Sequence, residues 1–147
     1  FSIALLSAFV IGDDPIYNAD KQNLAGEGYD VVMYFSHHPA KGNEKFQSEY
    51  NGLKYRFVNQ RNLDTFKVQP DKYIPRLGGW CAYAMVEKAQ NVAIDPKTYK
   101  IVDGQLLLFY NSFGINTLKK WNEFESEKDS LLKAELNWRK IVSGANE

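Results

Sequence analysis

Phe46-Gln47-Ser48-Glu49-Tyr50-Asn51-Gly52-Leu53-Lys54-Tyr55-Arg56-Phe57-Val58 is the stretch that decides the fold. Asn51-Gly52 is a type I′ turn signal, because both central residues of that turn need positive φ. A two-residue loop fixes the pairing around it: Tyr50 opposite Leu53, Glu49 opposite Lys54, Ser48 opposite Tyr55, and Phe46 opposite Phe57. One face is then apolar and aromatic, while the other carries an opposite-charge pair. Turn chemistry and side-chain alternation agree, which pins the register.

Downstream, Asn59 is placed to cap a short helix carrying Leu63 and Phe66, and Pro70 ends it. A second hairpin is predicted over Thr98 to Asn111 around Asp103-Gly104, with Ile101 facing Leu106 and Tyr99 facing Leu108. The run Leu106-Leu107-Leu108-Phe109-Tyr110 is apolar on both faces, which predicts a central strand. The C-terminal segment is helical. Leu118 and Trp121 form one stripe, and Leu131, Ala134, Trp138, Ile141 and Val142 another, with Ser126 and Asp129 as a cap between them. Upstream, Val31 to Phe35 reads as a strand and His37 to Gly42 as a loop. The predicted class is α+β: an antiparallel sheet built from two hairpins, a short helix after the first, and C-terminal helices packed on one side.

The chain has 147 residues, the length of one domain with a sizeable core. Lys plus Arg and Asp plus Glu number 18 each, so nothing points to nucleic acid or to a polybasic membrane patch. A single cysteine excludes an internal disulfide framework and paired-cysteine zinc sites. Residues Phe1 to Ile11 carry no charge and precede Gly12 and Asp13-Asp14-Pro15. They read as the apolar part of a signal peptide, too short to span a bilayer, or as a short buried element of the fold. The expected organisation is a signal-peptide remnant over 1–12 and one domain over 13–147, placed in the periplasm or outside the cell.

Cys81 lies in Gly78-Gly79-Trp80-Cys81-Ala82-Tyr83-Ala84-Met85. A thiolate near imidazole or thioether favours Cu(I), with His37 and Met85 as candidate co-ligands. Otherwise Cys81 is a small buried hydrophobe and His37 and His38 are solvated loop residues. Asp30 either holds a turn, bonds a tyrosine or serves as a base near Cys81. Tyr29, Tyr34, Trp80 and Tyr83 either line a ligand pocket with Asp30 or fill the core.

Several stretches carry a family resemblance. Tyr55-Arg56-Phe57-Val58-Asn59, with Phe66, Pro70 and Tyr73, resembles the core of YHS domains. Gly28-Tyr29-Asp30-Val31-Val32-Met33-Tyr34-Phe35, Gly78-Gly79-Trp80-Cys81-Ala82-Tyr83-Ala84, Asp103-Gly104-Gln105-Leu106-Leu107-Leu108 and the helix bearing Trp138 resemble the secreted, stand-alone YHS-domain proteins of bacteria. The resemblance covers Leu24 to Trp138 and implies a YHS-type domain. In relatives attached to metal transporters, metal binding is associated with two cysteines whose positions fall here on Val58 and Asn62. Neither residue ligates a soft metal, so a metal role would have to be rebuilt around Cys81.

The leading expectation is a secreted, non-enzymatic binding domain that takes a soft metal ion, copper first, at or near Cys81. The alternatives are a small-molecule binding module with an aromatic pocket beside the Gly78-Gly79 backbone, a thiol-dependent enzyme using Cys81, and an interaction domain without a site.

Overall fold

A computed structural model describes residues 16–144; the expectation for residues 1–12 lies outside them. The first hairpin joins β1 (Asn43–Tyr50) to β2 (Leu53–Phe57). Asn51 and Gly52 both have positive φ, as a type I′ turn requires. Tyr50↔Leu53, Glu49↔Lys54 and Ser48↔Tyr55 pair as predicted. Phe46 does not oppose Phe57. The ladder breaks between Asn43 and Gln47, and Asn43 takes that place. The cause is local: the Asn43 side chain accepts the Lys45 amide at 2.9 Å and turns the chain out of the ladder. Gly42 then runs against β2 so closely that a Cβ there would lie 2.4 Å from the Arg56 carbonyl carbon.

The second hairpin, β3 (Asp95–Val102) and β4 (Gln105–Phe109), repeats this design. Its turn at Asp103-Gly104 has positive φ at both residues, and Ile101↔Leu106 and Tyr99↔Leu108 pair as predicted. Its ladder also breaks, between Asp95 and Tyr99. The Asp95 carboxylate accepts the Lys97 amide and the Thr98 hydroxyl at that point. An Asn or Asp side chain thus takes an amide out of each ladder.

The two hairpins remain separate two-stranded ladders rather than one sheet. Leu106, Leu107, Leu108 and Phe109 are all buried, as a two-faced apolar strand should be. The free edge of β4 is covered by extended chain instead of a strand: Arg76 donates to the Leu106 carbonyl, and Cys81 bridges Leu108 in parallel. A third, two-residue hairpin follows, β5 (Asn111–Ser112) and β6 (Ile115–Asn116), turning at Phe113-Gly114.

Val31 to Phe35 is not a strand. Met33–Ser36 form a 3₁₀ helix. The reason is Asp30, which is wholly buried. One of its carboxylate oxygens accepts the Val32 and Met33 amides at 2.8 and 3.3 Å and bends the chain. The other accepts the Val58 amide at 2.8 Å and the Asn62 side-chain amide at 2.9 Å. Local capping outweighs the apolar run.

The helices are α1 (Gln60–Val68), α2 (Pro70–Tyr73), α3 (Ala82–Lys88), α4 (Thr117–Trp121) and α5 (Glu127–Gly144). Asn59 caps α1 by accepting the Asn62 amide, and Leu63 and Phe66 are its buried face. Ser126 caps α5 through the Asp129 amide. Hairpin one and α1 enclose Tyr55, Phe57 and Phe66. α3, α4 and α5 close with β4 around Met85, Leu107, Phe109, Trp121 and Ala134. The fold is α+β. No helix among the described residues is long and apolar enough to cross a membrane.

Asp30→Ala should lower stability by at least ~3 kcal/mol in urea unfolding, because several buried donors lose their acceptor together. A loss under ~1 kcal/mol would mean that those amides find other partners. A second expectation concerns Glu127, which accepts from Lys100 and from the Trp121 indole. Chiefly the Lys100 bond holds its carboxyl below the ordinary glutamate value. A lowered native pKa stabilises the fold above the unfolded value, and that contribution is lost as pH falls through the native one. Glu127→Gln should therefore flatten the fall in stability between about pH 5 and about pH 3, measured by urea midpoints.

Candidate functional site

The three residues expected to hold a soft metal go to three different surroundings. Cys81 precedes α3 and is wholly buried. Its sulfur lies 3.3 Å from Thr117 Oγ1. Thr117 Oγ1 donates its own hydrogen to the Tyr110 carbonyl at 2.7 Å, so the thiol is the donor between the two. Met85 is buried against α5 and β4, in the cluster of Leu107 and Trp121. His37 sits in the loop after the 3₁₀ helix, with Nδ1 3.2 Å from the Tyr99 hydroxyl. His38 bonds the Ser36 carbonyl instead. Among the described residues no three His, Cys, Asp or Glu side chains gather closely enough to hold a metal ion.

Asp30 is a turn and clamp residue, and its four hydrogen bonds go to Val32, Met33, Val58 and Asn62. Val58 and Asn62 are the two positions at which the family resemblance places metal-binding cysteines. Here they converge on one Asp30 oxygen, so a carboxylate and two N–H groups fill that space. Neither Asp30 nor His37 hydrogen-bonds Cys81, and no nucleophile–base pair is assembled there.

Of the four aromatics expected to line a pocket, Tyr29, Tyr34 and Tyr83 pack in the cluster that holds Cys81, and Trp80 packs against the Met85 cluster. Tyr34 is buried, donates to the Pro96 carbonyl and meets Tyr99 edge-on. Tyr29 bridges to Lys41. Trp80 donates its indole N–H to the Ile16 carbonyl at 2.7 Å. Tyr83 stacks on Phe124 with centroids 5.4 Å apart. It also flanks a cleft of about 430 Å³ that includes Cys81, Tyr110, Ile115 and Thr117.

A cleft of about 490 Å³ does lie beside Gly78-Gly79, walled by other aromatics: Tyr17, Tyr50, Tyr55 and Trp138. Three elements build it. Hairpin one supplies Tyr50 and Tyr55 on either side of its turn. The glycine bend supplies backbone, anchored when Asn18 bonds the Gly78 carbonyl through its amide and the Gly79 carbonyl through its side chain. α5 supplies Glu135, Trp138 and Arg139 on one face, at i, i+3 and i+4. Gly78 has φ +66°, and a Cβ there would come within 2.3 Å of the Trp138 ring. The glycine thus lets the tryptophan reach the cleft wall. Tyr17 meets Trp138 edge-on at 5.7 Å.

Tyr55 is the distinctive member. Its residue exposure is 4%. No hydrogen bond to its hydroxyl occurs among the described residues, where Tyr50 donates to Asp71 and Tyr34 to Pro96. Asn91 Oδ1 is the sole fully buried side-chain polar atom without a partner among them, so the Tyr55 oxygen is not sealed off. Tyr55 lines the cleft, and its hydroxyl interacts electrostatically with those of Tyr17 and Tyr50, which line it too. Burial first, then the neighbouring Tyr17 and Tyr50 phenols, hold its pKa well above the ordinary tyrosine value. It is therefore a hydrogen-bond donor throughout the neutral range.

Sequence reasoning missed Tyr17, Tyr50, Tyr55, Trp138 and Arg139 as site residues. One signal was available: Tyr55 alternates with Phe57 on the apolar face of β2, where a hydroxyl has no role in packing. The meeting of Trp138 with Gly78 spans sixty positions and leaves no local trace. No family model matches the chain, and no curated protein or solved structure matches it either.

Native Cys81 should react with a neutral thiol reagent about a thousand-fold more slowly than the urea-unfolded chain, since labelling needs an opening of the fold. Rapid labelling of the native protein, followed by mass spectrometry, would show a reachable thiol.

Proposed function

We propose that this protein is an exported, non-enzymatic binding domain that holds a small molecule in the aromatic cleft beside Gly78-Gly79. The observation that carries the reading is the Tyr55 hydroxyl, a donor on a buried ring with no partner among the described residues, opening on a cleft of about 490 Å³. Clefts of this size with aromatic walls and a few convergent polar groups suit small ligands. A phenylalanine there would pack as well but would offer the cleft no polar group. Export is supported by the uncharged stretch Phe1 to Ile11 and by the resemblance to secreted YHS-domain proteins. The non-enzymatic half rests on Cys81, whose thiol is spent on Thr117, and on Asp30, whose oxygens are spent on amides.

The test is an NMR screen of a chemically diverse small-molecule set against the labelled protein. Binders should move the Gly78 and Gly79 amides and the Trp138 indole together. Tyr55→Phe should weaken them about five- to ten-fold, the loss of roughly one hydrogen bond. Failure of every compound at millimolar concentration to move those signals would overturn the reading, as would binders indifferent to Tyr55→Phe.

A further inference from the structure

The groups that face this cleft are unequal in kind. Arg76, Glu135 and Arg139 are its charged lining residues. Arg76 is engaged: its Nε and Nη2 both bond Glu135 Oε1, at 3.1 and 2.7 Å. One positive charge cancels the negative one, which leaves Arg139. Among the described residues Arg139 has neither an ion-pair nor a hydrogen-bond partner. The Trp138 indole N–H is also without a partner there, whereas the indoles of Trp80 and Trp121 are both bonded. Each of these uncommitted groups can donate: a guanidinium, an indole N–H and the Tyr55 hydroxyl, which can also accept. The carbonyls of Gly78 and Gly79 are already taken by Asn18. Around these donors stand the faces and edges of Tyr17, Tyr50 and Trp138.

Resting on the small-molecule reading above, we infer that the ligand is a planar aromatic carboxylate. Its ring packs among the Tyr17, Tyr50 and Trp138 rings, where offset and edge contacts between aromatics are favourable. Its carboxylate accepts from Arg139 and from Tyr55, the pairing for which a guanidinium fork and a phenol are suited. A neutral ligand would leave Arg139 unmatched, and a saturated ring would forgo the aromatic contacts.

The experiment titrates the full chain with four probes, 2-naphthoate, 2-naphthamide, cyclohexanecarboxylate and inorganic phosphate, following the Gly78 and Gly79 amides and the Trp138 indole by NMR. 2-Naphthoate should saturate these signals, and each of the other three should bind at least ten-fold more weakly. Arg139→Gln should weaken naphthoate by about ten-fold and leave naphthamide unchanged. Added salt should weaken naphthoate alone among the two naphthyl probes. Equal binding of naphthamide, with no effect of Arg139→Gln, would overturn the carboxylate assignment while sparing the small-molecule reading. Equal binding of phosphate or of cyclohexanecarboxylate would overturn the aromatic one. Shifts spread over surface lysines instead of the cleft, or no shift from any of the four, would overturn the inference outright. The broader screen then decides the small-molecule reading separately.

Discussion

The Asp30 carboxylate takes two hydrogen bonds on each oxygen and has no exposed surface. Those bonds join three pieces of chain that sequence keeps apart. The Val32 and Met33 amides begin the 3₁₀ helix, the Val58 amide ends β2, and the Asn62 side chain belongs to the first turn of α1. A buried carboxylate without a counter-charge is tolerated only when amides satisfy it this fully. Removing it strands the amides as well, so the clamp binds in both directions. The Tyr55 wall of the aromatic cleft inherits this constraint. Asp30 fixes where β2 stops and α1 starts, and Tyr55 packs its ring against Phe66 across that corner at 5.0 Å.

The parts of the fold legible in the sequence are those set by residues close together. Asn51-Gly52 and Asp103-Gly104 announce their turns, and the pairs nearest each turn follow from the loop length. Further out the pairing fails, because Asn43 and Asp95 prefer to bond amides two residues on. An Asx turn competing with a ladder is visible in sequence only as an Asn or Asp near a strand end. Val31 to Phe35 fails for the same reason. Its unbroken apolar run suits a strand, but Asp30 offers its amides a better partner. β4 was readable as doubly buried, though not what covers its edge, since Arg76 and Cys81 do so as extended chain.

The site was less legible than the fold. Cys81 is the lone cysteine of the sequence, but its neighbours commit its thiol to Thr117. The glycine pair beside it was the better pointer. Gly78 and Gly79 do bring backbone to a cleft, but the aromatics opposite come from hairpin one and from α5 rather than from the cysteine's own motif. That convergence depends on the Trp138 ring fitting over Gly78, a contact between two segments with no shared periodicity. The informative feature at the cleft is the Arg139 guanidinium, the charge left over once Arg76 and Glu135 have paired.

Native-state amide hydrogen exchange measures the Asp30 clamp most directly. Val32 and Val58 lie far apart in sequence but donate to the same carboxylate. Their amides should therefore open with the same free energy, close to that of global unfolding. Val32 exchanging through a low-energy local opening while Val58 stays protected would contradict the clamp, because the two bonds would then break independently.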